Sequence, residues 1–74
     1  MTEQEANLRQ LAREYWRLRR AHEATTDAYV RGLLDSARLV AHDHLLLAMN
    51  DAGIEYNDRE HAARIARAWA GEEV

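Results

Sequence analysis

Apolar residues recur at three- and four-residue steps through most of the chain, the spacing of helices rather than strands. From Asp27 to Ala52 no proline interrupts the pattern, which predicts one long helix. Wound at about 3.6 residues per turn, Val30, Leu33, Leu34, Ala37, Val40, Ala41, His44, Leu47 and Ala48 share one broad face. Leu39 and Leu46 fall on nearly the opposite side. A surface helix needs only one apolar stripe. A second stripe predicts a second partner, either another copy of the chain or a target protein.

Two more helices flank this one. The first starts at Thr2, where Thr2 and Glu5 have the spacing of a capping box. Leu8, Leu11, Tyr15, Leu18 and His22 then repeat at helical steps, with Ala12 and Trp16 widening the stripe. The pattern weakens over Arg19–Asp27, and the β-branched, cap-capable Thr25 and Thr26 predict a turn near Ala24–Thr26. Nothing there forces a break, so a single kinked rod stays open. Gly53, suited to the left-handed position after a helix, ends the middle helix near Ala52. Asn57, with Glu60 three residues on, reads as the cap of a third helix whose face is His61, Ala62, Ile65, Ala66 and Trp69. Gly71 ends it, and Glu72, Glu73 and Val74 fray.

The expected fold is therefore all-α. Helices over about 3–23 and 27–52 form an antiparallel helical hairpin, and a short third helix over about 58–70 packs across it. The expected core is Leu8, Leu11, Tyr15, Leu18, Val30, Leu33, Leu34, Ala37, Val40, Leu47, Ile65 and Trp69. At 74 residues the chain is a single small helical domain near the lower size limit for folding alone. It has no cysteine, so disulfides and thiolate-metal sites are excluded. Oligomerisation is the remaining aid, and a homodimer in the form of a helical bundle is expected.

Composition narrows the function classes. With 47% hydrophobic and 31% charged residues the balance is globular rather than disordered. A net charge of −3 argues against a generic nucleic-acid binder and is too small for a nucleic-acid mimic. No apolar run spans a membrane, and the acidic start of the chain lacks the layout of a signal peptide, which predicts a cytoplasmic protein. All ten basic residues are arginine. With plentiful alanine, this suggests a GC-rich coding sequence and a bacterial or bacterial-virus origin.

Four groups of residues carry candidate chemistry. Arg9, Arg13, Arg17 and Arg20 lie along one side of the first helix, with Trp16 at the edge. Arginine forks hold phosphates or carboxylates in paired hydrogen bonds, and an aromatic beside them stacks on a base or a guanidinium. The stripe therefore suits an acidic protein surface, or a phosphate in nucleic acid or a nucleotide; a solvated face is the plain alternative. The second group is a row on the middle helix, Gly32, Ser36, Leu39, Asp43, Leu46 and Asn50, which alternates by four and three, the spacing of a close helix contact.

The third group is His42-Asp43-His44. The pair His42-Asp43 resembles the metal-binding doublet of the HD phosphohydrolases, but only in those two residues; the other ligands of that family are missing. His42 and His44 also point roughly 160° apart on a helix, whereas a helical metal pair needs a spacing of three or four. His44 is expected in the apolar arc, with burial depressing its pKa, and His42 is expected in solvent. The fourth group is the acidic loop Asp51–Asp58, which lacks the ligand order of a calcium loop. No glycine-rich phosphate loop and no activated nucleophile is present, so no enzyme, no metal and no cofactor are expected. The reading that remains is a non-enzymatic protein–protein interaction module, such as a small phage or bacterial accessory protein that inhibits or adapts a larger partner. The alternative is a phosphate-binding module that uses the arginine stripe.

Overall fold

The computed structural model describes residues 2–71, so the expected fraying of Glu72–Val74 lies outside it. Three helices account for most of these residues: α1 Glu3–Ala24, α2 Ala28–Asp51 and α3 Arg59–Ala70, with no strand among the described residues. The chain is thus all-helical, and α1 and α2 are separate helices. Each start is capped by a side chain. The Thr2 hydroxyl accepts from the Glu5 N–H at 3.1 Å, and Asp27 accepts from the N–H groups of Tyr29 and Val30. These bonds satisfy donors that a helix start leaves orphaned.

The cap of α3 differs from the expected one. Asp58, not Asn57, accepts from the His61 N–H at 2.8 Å, while the Asn57 N–H donates to His61 Nδ1 at 2.9 Å. An aspartate carboxylate is the stronger acceptor at a positive helix start, and His61 closes the reciprocal bond in place of Glu60. After α2, Gly53 has φ 75°. Its N–H bonds to the Asn50 carbonyl, and the Ile54 N–H bonds to the Met49 carbonyl. This is the Schellman pattern, which needs a left-handed residue where glycine fits without strain.

Helix α1 is the shared partner against which both α2 and α3 pack. Its contact with α2 runs along both helices: the Tyr15 and His42 rings are 4.7 Å apart, and His22 lies 3.8 Å from Asp35. Its contact with α3 is made through small side chains, because α3 presents alanine. Ala62, Ala63, Ala66 and Ala70 are buried, and the Trp16 ring lies against them with its Nε1–H donating to the Ala63 carbonyl at 3.0 Å. The core comprises Leu8, Ala12, Tyr15 and Trp16 of α1, Leu45 and Met49 of α2, and those four alanines, with His42 sealed beside them.

Much of the expected core is not there. Val30, Leu33, Ala37, Val40 and Leu47 are exposed, and Leu11, Leu18, Leu34, Ile65 and Trp69 are only half-buried. Helix α2 turns its His42, Leu45 and Met49 side towards α1 and leaves its most apolar stripe outside. No residue between Arg17 and Ala41 is buried. The end of the α1–α2 pair around the link 25–27 is therefore two helices thick and carries little core.

Candidate interaction surface

The arginine side of α1 divides into two parts. Arg9 lies 5.7 Å over the Trp69 ring, and Arg13 Nε donates to the Ala70 carbonyl at 3.4 Å. Both therefore tie α1 to α3. Trp16 is also structural. It is 9% exposed, and its ring is flanked by the guanidinium of Arg19 at 4.6 Å and that of Arg67 at 5.3 Å. A ring enclosed in this way has no open face for a base. Arg17 and Arg20 alone of the predicted group stand exposed.

Arg19 was not among the predicted site residues, yet it joins three side chains of α1 and α3. It donates to the Tyr15 hydroxyl at 3.3 Å and to Glu60 at 3.2 Å, and it lies 3.5 Å from Glu23. Burial works to lower its pKa, but these hydrogen bonds outweigh burial and raise it. The signal was present in the spacing, since Arg19 follows Tyr15 by four and precedes Glu23 by four.

The row Gly32, Ser36, Leu39, Asp43, Leu46 and Asn50 is partly occupied by the chain itself. Asp43 pairs with Arg59 at the start of α3, Leu46 packs at the edge of the core, and Asn50 accepts from the Tyr56 hydroxyl. Gly32, Ser36 and Leu39 stand in solvent, and nothing lies within 4 Å of where a Cβ on Gly32 would be. The two histidines exchange their expected places. His42 is buried at 5% exposure, with Nε2 lacking a hydrogen-bond partner, and His44 is exposed. Burial, followed by the nearby Arg59 charge, holds the His42 pKa below its ordinary value.

The largest unexplained feature is the outer face of α2. Val30, Leu33, Ala37, Val40, His44 and Leu47 are spaced by three, four, three, four and three residues. That is a strict a/d seam of the kind that lines coiled coils. Leu33 is 56% exposed, Val40 55% and Leu47 62%; Tyr29 at the edge is 76% exposed. The seam lies roughly 140° round the helix from the side that packs on α1 and runs for about 26 Å. Its margins carry almost no charge: Leu34, Ala41 and Ala48 line one side, and Tyr29, Ser36 and Asp43 line the other.

Among the described residues, no group of three histidine or acidic side chains is placed to hold a metal ion. No described helix is long and apolar enough to cross a membrane. In comparisons with protein-family models, curated proteins and solved structures, the chain matches none.

Proposed function

We propose that this chain is a non-enzymatic protein–protein interaction module whose working surface is the outer seam of α2. One observation carries the reading: six seam positions in strict heptad spacing stand outside the fold. Singly exposed leucines are ordinary on protein surfaces. A continuous a/d stripe is different, because it has the periodicity of a helix that meets another helix. The chain is a single cytoplasmic domain, an accessory protein of bacterial or bacterial-virus type that inhibits or adapts a larger partner by docking. The antiparallel arrangement of α1 and α2 presents the seam along one side. The competing reading, phosphate recognition by the arginine stripe, is weakened by the engagement of Arg9, Arg13 and Trp16 with α3.

The two readings separate through two variants. Leu33→Asp/Leu47→Asp places charges on the seam without touching the core; Arg17→Glu/Arg20→Glu reverses the exposed basic positions. The interaction reading predicts that a partner recovered with the wild-type chain from its host cells is lost with the seam variant and kept with the arginine variant. Salt-dependent oligonucleotide binding that survives the seam variant and vanishes in the arginine variant would replace this reading with phosphate recognition.

A further inference from the structure

We infer that the occupant of the α2 seam is a second copy of this chain, laid antiparallel so that the paired positions sum to 77. This rests on the interaction reading above and specifies the partner at that surface. The seam then works by joining two copies, and a seam variant would lose a larger partner by splitting the dimer on which that partner docks.

Three observations select a second copy. The first is area. Over Tyr29, Val30, Leu33, Val40 and Leu47 at their observed exposures, each chain shows roughly 500 Å² of largely apolar surface, near the upper end of what monomers leave open. Two such faces together reach about 1,000 Å², where specific interfaces begin. The second is charge. A self-complementary contact brings each side chain against its own kind, and like charges there oppose association. The seam margins avoid this: Asp43 is the only charged residue on either margin, and it already has Arg59 as its partner.

The third observation is shape, and it also chooses the orientation. In an antiparallel pair Val30 meets Leu47 of the other copy, Leu33 meets His44, and Ala37 meets Val40. Each layer then combines a larger side chain with a smaller or polar one. A parallel pair would set Ala37 on Ala37 and leave a void, and it would set His44 on His44. Antiparallel pairing also lays residues 28–35 of one copy beside 42–49 of the other. The thin end of each α1–α2 pair, where nothing is buried from Arg17 to Ala41, then rests against the half of the other copy that is backed by the core. His44 becomes the polar seam position, of the kind that fixes register in helical pairs.

Because the chain has no cysteine, single-cysteine variants report this geometry directly. Leu33→Cys and His44→Cys are both on the exposed seam, and circular dichroism is to check that each retains its helices. In the antiparallel pair a position is about 16 Å along the axis from its own copy, beyond the Cα separation of about 7 Å that a disulfide tolerates. An oxidised mixture of the two variants should therefore give at least about tenfold more disulfide dimer than either variant alone. Equal self-linking of each variant would mean a parallel pair and would overturn the inference. A mixture that does not link, from chains that sediment as single copies, would overturn the second copy itself. In that last case the interaction reading stands or falls separately, on whether the seam variant loses a captured partner.

Discussion

The pocket around His42 accepts a neutral imidazole. Tyr15 covers one side and Arg59 and Arg38 add positive charge nearby, while a hydrogen bond with the Arg59 main chain and the Asp43 charge offset burial and these cations only in part. The unfolded chain protonates at the ordinary value of 6.5, and the folded chain resists protonation to lower pH. Below about 6.5 the unfolded state binds more protons, so stability is fully present above that pH and declines as acid is added. The melting temperature is therefore expected to fall between about pH 7.5 and 5. That window leaves Asp35 ionised, since its hydrogen bond to Arg38 holds its pKa below 3.8. His42→Leu removes both the proton and an unpartnered buried nitrogen. It should flatten this dependence and raise stability by about 1 kcal/mol at the acid end. Equal slopes in the two proteins would remove His42 as the cause.

The histidine pair also shows where sequence reasoning stops at this scale. His42 and His44 differ by 160° on the helix wheel, and the more apolar arc contained His44. Which arc faced inward depended on α1, through Tyr15, whose ring contact with His42 joins residues distant in sequence. Trp16 was read as the edge of a binding stripe because arginines surround it. Its Nε1–H instead donates to a carbonyl of α3 that no local pattern identifies.

Among the elements, helices were legible because their evidence is local. Thr2, Gly53 and Gly71 mark ends that the structure keeps, and the break between α1 and α2 lies at the predicted threonines. Packing was less legible, because α3 carries its contact on alanines, which are weak signals by hydrophobicity and strong ones by size. Small side chains let α3 approach α1 closely enough for Trp16 to reach the Ala63 carbonyl. Ala66, 1% exposed, lies in the middle of that contact. Ala66→Leu should force the helices apart and cost about 1–3 kcal/mol, the usual penalty for overpacking. Chemical denaturation followed by tryptophan fluorescence measures it. An unchanged midpoint would show that the α1–α3 contact is looser than its burial implies.

The two stripes of α2 illustrate the same limit. A stripe that faces a protein core is broad, with apolar residues beyond the a and d positions. The stripe of Val30 to Leu47 was read as broad because Leu34, Ala41 and Ala48 flank it, and so it was assigned to the core. Its strict three-four spacing is equally that of an association seam. The inward side, His42, Leu45 and Met49, was overlooked because a histidine and an arginine-rich neighbourhood lower its apparent hydrophobicity.

For the whole molecule, three helices arranged about α1 give a core confined to one half. The other half is an α1–α2 pair with exposed aliphatic side chains, an arrangement that gains stability when another surface covers it. Burying each large aliphatic residue contributes about 1.5–3 kcal/mol relative to exposure, so the proposed association would couple to folding, and apparent stability is then expected to rise with concentration. The two apolar sides of α2 raise the expectation of a second surface in the sequence alone; which side it would cover depends on where α1 lies.

Sedimentation equilibrium of the wild-type chain beside Leu33→Asp/Leu47→Asp tests this most directly. At about 100 μM the wild type should have the mass of two chains and the variant that of one, with helical content retained in both. A folded wild-type chain that keeps the mass of one copy at that concentration would contradict the account.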